Sequence, residues 1–301
     1  MLRNIQLILK GTFNQQIRTK TFRKTPTKAY QRVMAMKKLR LALGLEVKPH
    51  EPVMENKFWK VEGDMKYYKS VSPGSTNRAH PTKFHLHKGS AVKRLSFGKR
   101  STGGRSCHGQ ITVRHRGGGH KKRVRIIDFH RKAGSFQVIR YEYDPNRSAE
   151  LLLLRCISTN EFSYIIRPKN VAIGQIIHSF PNGIPPEIPG ERQFTKSELI
   201  QPGNAFAIKD IPVGTMIHCI GLKKGGPAQL CRSAGTSAQL MSTTPNGYAQ
   251  IRLGSQEVRM IDGNAIATIG EVANEQHKLR NWGKAGARRR KGWRPAVRGI
   301  Q

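Results

Sequence analysis

The chain has 301 residues, with 54 lysines and arginines against 18 aspartates and glutamates, and a formal net charge of +36. A surplus this large has to meet an anion, and nucleic acid is the natural one because each neutralised phosphate releases counterions. The length allows two modest domains, and no apolar run is long enough to cross a bilayer, so no membrane span is expected.

The chain opens Met1-Leu2-Arg3-Asn4-Ile5-Gln6-Leu7-Ile8-Leu9-Lys10, and its first acid is Glu46. An acid-free, arginine-containing amphipathic start fits a mitochondrial presequence; a basic RNA-binding arm fits the same residues. Ala29–Leu43 lacks proline and glycine and is expected to be helical. Lys48–Thr82 holds Pro49, Pro52, Pro73 and Pro81 and reads as an irregular connector.

From about Gly109 the pattern becomes β. Ile111 and Val113 alternate with polar residues, and Val124–Phe129 is a mixed apolar strand. Phe136–Tyr143 alternates, with Ile139, Tyr141 and Tyr143 on one face. Asp144-Pro145-Asn146-Arg147-Ser148 is a turn signal, and Leu151–Ile157 and Phe162–Ile166 are further strands. Short strands separated by turns suggest a small barrel such as an OB-fold.

Ile184–Pro189 is proline-rich and reads as a link to a second β series. Its expected strands are Ala205–Ile208, Thr215–Ile220, Gln239–Thr243, Tyr248–Leu253, Val258–Ile261 and Ala265–Ile269. Asn246-Gly247 carries a hairpin signal and Asp262-Gly263 another tight turn, which together suggest an SH3-like barrel. A short helix is expected over Glu275–Arg280. Beyond it, Gly283, Gly286, Gly292 and Gly299 break up an arginine-rich tail expected to order on RNA.

The charge is segregated along this order. Only Asp128 is acidic between Lys93 and Lys132, and from Gln276 onward there are nine lysines or arginines and no acid. Glu142–Glu275 is balanced, with twelve acids and twelve bases, so a compact β body carries basic extensions and one basic face. Within the basic part, Arg114-His115-Arg116-Gly117-Gly118-Gly119-His120-Lys121-Lys122-Arg123-Val124-Arg125 sets three bare glycines between cations. Another molecule's backbone can approach glycine closely, and the flanking cations would hold a polyanion there.

Catalytic signatures are missing. Gly104-Arg105-Ser106-Cys107-His108-Gly109 is followed by Gln110 and not by the Lys-Ser or Lys-Thr of a P-loop, and no Gly-x-Ser-x-Gly elbow occurs. A metal-dependent nuclease needs clustered carboxylates, whereas Asp128 stands alone. Cys107, Cys156, Cys219 and Cys231 form no Cys-x-x-Cys pair and are expected to be reduced, mostly buried thiols. The histidines His85, His87, His108, His115, His120 and His130 match no common zinc spacing, so no metal, cofactor or small-molecule substrate is expected. A free single-strand RNA chaperone built on an OB-fold is the rival to a structural RNA-binding protein. Such sites display aromatics, and aromatics make up 7% of this chain.

Several segments, in joint order and spacing, resemble the universal large-subunit ribosomal protein L-two family. They are Ser72-Pro73-Gly74, Ser101-Thr102-Gly103-Gly104-Arg105, Ile111 through Lys121, Tyr143 through Ser148 and Ile211-Pro212-Val213-Gly214. Gln229 through Thr236, Gly283-Lys284-Ala285-Gly286 and Arg294 through Gly299 complete the set. With the presequence-like start, the match is to a mitochondrial member. The resemblance implies an OB-fold, an SH3-like barrel and a tail reaching into large-subunit rRNA, close to the peptidyl transferase centre, beside neighbouring ribosomal proteins. The implied organisation is a presequence or basic arm over 1–28, an N-terminal extension and rRNA-binding arm over 29–100, the OB-fold RNA-binding domain over 101–190, the SH3-like barrel over 191–273 and the rRNA-binding tail over 274–301.

Carried onto this chain, Arg105, Arg114, His115, Arg116, Gly117, Gly118, Gly119, His120, Lys121, Arg123 and Arg125 would line one rRNA contact. Arg232 and Ser233 would sit in a second, on a barrel loop. Lys284, Arg288, Arg289, Arg290, Lys291, Trp293, Arg294 and Arg298 would thread a third, with Trp293 stacking on a base or plugging a small core. The family continues past the segment equivalent to Arg298-Gly299 into a His- and Gly-rich stretch near the catalytic centre. This sequence stops at Gln301, so no residue is assigned to that stretch and no catalytic residue is carried over.

Overall fold

The computed structural model describes residues 55–56, 58–183 and 199–296. The presequence-like start, the expected helix over Ala29–Leu43, the Ile184–Pro189 link and Arg298 lie outside the described residues.

The stretch read as an irregular connector holds a small antiparallel sheet. Its strands are β1 (Glu55–Asn56), β2 (Trp59–Glu62), β3 (Met65–Tyr68) and β4 (Ala79–Pro81), in that order. Glu62 pairs with Met65 around Gly63, whose φ is +55°. The strands are too short for alternation to stand out, and Pro81 sits where a strand ends. Lys66 lies 3.7 Å over the Trp59 ring, a cross-strand contact that composition does not disclose.

β5 (Ser96–Gly98) pairs with β6 (Arg123–Arg125), and the loop between them carries most of the basic motif. Ile111 and Val113 are not in a strand: they are 61% and 50% exposed, and their loop folds back on the Gly104 carbonyl through the Thr112 and Val113 N–H groups. Alternation over two apolar residues, with no core to face, does not make a strand. The Val124–Phe129 strand likewise ends at Arg125. Asp128 then closes a turn by accepting from the N–H groups of His130, Arg131 and Lys132 at 3.0, 2.8 and 2.9 Å.

The main sheet has ten strands in the order β17-β16-β15-β12-β18-β11-β10-β7-β8-β9. These are β7 (Gly134–Glu142), β8 (Leu151–Cys156), β9 (Phe162–Ile166), β10 (Ile176–Phe180), β11 (Ala205–Ala207), β12 (Met216–His218), β15 (Ala238–Thr243), β16 (Tyr248–Leu253), β17 (Val258–Asp262) and β18 (Ile266–Ile269). The expected Thr215–Ile220 strand divides at Cys219, whose φ is +49°, into β12 and β13 (Ile220–Gly221), the latter paired with β14 (Ala228–Leu230). The chain is mainly β, as expected of an OB-fold followed by an SH3-like unit. The two series join through the parallel pairing of β10 with β11.

β8 is buried on both faces. Leu152 and Leu154 join Phe136, Val138 and Ile177 in one core, while Leu151 and Leu153 join Tyr164, Cys219 and Val272 in another. A bulge in β7 between Val138 and Arg140 reverses the alternation. Tyr141 therefore shares a core with Phe136 and Val138, Ile139 packs on the opposite core, and Tyr143 is exposed; the single face expected for Ile139, Tyr141 and Tyr143 does not form. The second series encloses its own core of Ile208, Ile217, Ile220, Leu240 and Ile251. Gly247 closes the β15–β16 hairpin with φ +81°. Cys156 and Cys219 are buried, Cys231 is half-buried and Cys107 is exposed. Among the described residues no helix is long and apolar enough to cross a membrane.

Candidate nucleic-acid interface

The glycine loop and the C-terminal tail, separate contacts in the sequence reading, form one body. His115, Gly117, Gly118 and Gly119 all have positive φ, and the tail turns through a short helix, α1 (Ala285–Arg289), to Gly292 at φ +97°. Gly117 N–H donates to the Gly292 carbonyl at 3.0 Å, His120 N–H to that of Arg290 at 2.9 Å, and Arg294 N–H to that of His115 at 3.0 Å. The Arg289 guanidinium donates to the Gly117 carbonyl at 2.8 Å, and His115 Nδ1–H to the Pro295 carbonyl at 2.9 Å. Bare glycines do admit a close backbone, and in this structure that backbone is the chain's own tail. The tail, expected to order on RNA, is held on the loop by these bonds.

Trp293 is 37% exposed and plugs no core. The Arg116 guanidinium lies 3.6 Å over its ring and that of Arg288 5.1 Å. An aromatic ring in contact with two guanidiniums restrains them without neutralising them. Arg105, Arg114, His120, Lys121, Lys284, Arg290 and Arg294 are exposed around this body. Lys291 is half-buried over the Trp282 ring at 4.0 Å. Its pKa falls to about 8, first through burial and then through Arg280, Lys83 and Lys122. Arg123 and Arg125 are engaged within the protein: Arg123 donates to the Ser96 carbonyl at 2.9 Å and Arg125 to the Arg123 carbonyl at 3.2 Å.

Arg232 and Ser233 are exposed on the loop between β14 and β15. That loop is anchored by the turn motif at residues 144–148. The buried Asp144 carboxylate accepts from Arg147 Nε at 2.7 Å and from Asn146 N–H at 2.9 Å. Ser148 Oγ accepts from Ala234 N–H at 3.1 Å, and the Ser148 carbonyl accepts from Asn274 Nδ2 at 2.8 Å. Arg232 and Arg147 approach the same Phe129 ring, at 5.1 and 5.6 Å. A motif that reads as a turn thus ties the first β series to the second and to the start of the tail.

Sequence reasoning missed a cleft of about 620 Å³ between the N-terminal sheet, the 143–150 turn and the tail. Lys66, Arg78, Lys83, Lys122, Arg147, Arg280 and Lys291 reach it, with Glu150 as its acid. The bridge between Ala79 and Asn281, with N–H···O distances of 3.1 and 2.9 Å, brings the two sides together. These cations are scattered over more than two hundred residues, so no run of charge announces them.

Two small β units whose exposed cations gather on a loop-and-tail body define a β protein that binds polyanions. The model of "Ribosomal Proteins L2, RNA binding N-terminal domain" matches residues 92–179, and that of "Ribosomal Proteins L2, C-terminal domain" matches 201–301. Large ribosomal subunit protein uL2 of Chromobacterium violaceum is 46% identical over 235 residues, covering 76% of this chain and 79% of that protein. The uL2 proteins of Paracidovorax citrulli and Nitrosospira multiformis are 45% and 44% identical over 234 and 235 residues, 77% of this chain in each case and 79% and 78% of theirs. The chain belongs to the uL2 family of large-subunit ribosomal proteins.

Proposed function

We propose that the chain is a structural constituent of the large subunit of a mitochondrial ribosome. It binds large-subunit rRNA, contacts neighbouring ribosomal proteins, and supports subunit assembly and the peptidyl transferase region. The observation that carries this reading is the union of the glycine loop with the tail through the Gly117–Gly292 and His120–Arg290 bonds, ringed by exposed arginines and lysines. Folded rRNA presents dense, fixed phosphates, and a preformed cationic surface meets them with little ordering cost. The arginine-containing, acid-free start over residues 1–28 supports the mitochondrial compartment.

Sedimentation of a mitochondrial lysate at magnesium levels that separate the subunits tests both parts. The chain is expected to travel with the large mitochondrial subunit. Recovery as free protein, or in a small ribonucleoprotein, would favour an RNA chaperone and overturn the ribosomal role.

A further inference from the structure

Among the described residues Arg147, held by Asp144, is the one cation of the cleft beside the tail that forms an ion pair. Glu150 already binds His85 Nε2 at 2.9 Å and Arg167 Nη1 at 2.6 Å. Aromatic rings hold the cations in place: Arg280 lies 3.9 Å over Trp282, Lys291 4.0 Å over the same ring, Lys83 3.7 Å over Tyr143 and Arg78 4.3 Å over Tyr68. Arg78 Nε–H donates to His80 Nε2 at 2.9 Å, which leaves the His80 proton on Nδ1 as a neutral donor. Arg280 Nε is buried and has no hydrogen-bond partner. Four aromatic-backed cations and the neutral His80 line one space, and one of those cations, Arg280, keeps a buried Nε–H without a partner.

We propose that this cleft is a phosphate-binding site that takes the sugar–phosphate backbone of an rRNA strand turning past the N-terminal sheet, with Lys83, Arg280 and Lys291 as its principal ligands. The proposal rests on the rRNA-binding reading above and adds a contact distinct from the glycine loop and the β14–β15 loop. Lys66, Tyr68, Arg78 and Lys83 all precede residue 92, where the match to the N-terminal family domain begins. Lys83, Lys291 and Arg280 are all held below their ordinary pKa, through partial desolvation first; Arg280 adds to the effect on both lysines. An anion among them would relieve that repulsion. Aromatic faces already covered by cations favour phosphate over a stacked base.

Two measurements on the full chain test the site. The first is lysine acylation at neutral pH read by peptide mapping, free and bound to large-subunit rRNA. Lys83 and Lys291, both held below the usual lysine pKa, are expected to lose at least about fivefold in labelling on binding. The second is the salt dependence of rRNA affinity for Lys83→Gln combined with Arg280→Gln. The slope of log K against log salt is expected to fall by about 1.4 to 1.8, from two phosphates at about 0.7 to 0.9 each. Arg280→Lys, which keeps that charge, should restore about half of the lost slope when combined with Lys83→Gln, if loss of fold is not the cause.

Unchanged labelling of both lysines in the complex, or an unchanged slope in a folded double variant, would overturn the proposal while leaving the rRNA reading intact. Protection by inorganic tripolyphosphate but not by rRNA would overturn the assignment to RNA in favour of a free anion. Failure of the unmodified chain to bind rRNA at all would bring down the underlying reading, and the proposal with it.

Discussion

Gly119 and Gly292 meet so closely that a β-carbon on Gly119 would lie 2.7 Å from the backbone nitrogen of Gly292. Both residues are in positive-φ conformations, at +96° and +97°. Two bare backbones therefore touch across the junction of loop and tail, and neither position can take a side chain without moving the other strand. Gly118 differs: its added β-carbon would meet the end of the flexible Arg289 side chain, at 2.7 Å from Nη1.

Gly119→Ala is accordingly expected to detach the tail, whereas Gly118→Ala should only displace Arg289, at a cost of about 1 kcal/mol for the left-handed backbone. Limited trypsin digestion reads the difference. Cleavage around Arg288–Arg290 should accelerate at least about tenfold in Gly119→Ala and much less in Gly118→Ala, with the melting temperature of the β body nearly unchanged in both. Equal protease resistance of Gly119→Ala and the unmodified chain would mean that the contact does not hold the tail.

The Asp144 carboxylate is buried against Arg147, whose side chain is 26% exposed. Removing one partner of such a pair strands the other, so Asp144→Ala is expected to cost about 2–4 kcal/mol. It also frees the Asn146 N–H and loosens the turn from which Ser148 reaches Ala234. Urea unfolding at neutral pH checks the cost. A loss under about 0.5 kcal/mol would show that the motif is not a structural clamp.

These two sites also show what the sequence disclosed. Asp144-Pro145-Asn146-Arg147-Ser148 is legible as a turn, and most strands of both β series appear as apolar runs between turns. The bulge at Ile139 is not legible, because an extra residue in a strand leaves the same apolar letters in place and changes only which face they meet. β10 was missed because it buries His178 and Ser179. Their polar groups are met by distant partners, with Asn204 Oδ1 accepting from His178 N–H and Ser135 Oγ bonded to His178 Nδ1. The candidate site was legible as composition and not as geometry. Gly117 and Arg289 are bonded across 172 positions, a pairing that no local pattern encodes.

His218 is fully buried on β12, and its Nδ1–H donates to the Gly270 carbonyl at 2.9 Å. Its Nε2 has no partner, and burial, with Arg131 nearby, lowers its pKa from 6.5 to about 4. Between those values the unfolded chain binds the proton and the folded chain does not, so stability rises with pH. The contribution is fully present above about pH 6.5 and is lost as pH falls toward 4, with a size on the order of 3 kcal/mol. Urea midpoints from pH 7.5 down to 4.5 should decline, and His218→Gln should flatten the decline. Parallel curves for the two proteins would remove His218 as the cause.

Trp293 and Arg290 separate two ways in which the loop-and-tail body can favour RNA. Arg290 is an exposed cation, and Arg290→Gln should lower the salt slope of rRNA binding by about 0.7 to 0.9, the contribution of one phosphate. Trp293 carries no charge but backs Arg116 and Arg288. Each exposed cation–π contact is worth about 0.5–1 kcal/mol, so Trp293→Leu should weaken binding by about five- to thirtyfold while leaving the slope unchanged. Affinity measured between about 50 and 200 mM salt resolves the two effects. A fall in slope for Trp293→Leu matching that of Arg290→Gln would mean that losing the ring withdraws a phosphate contact outright. Unchanged affinity at every salt would mean that the guanidiniums need no aromatic support, and the junction would then serve only to fasten the tail.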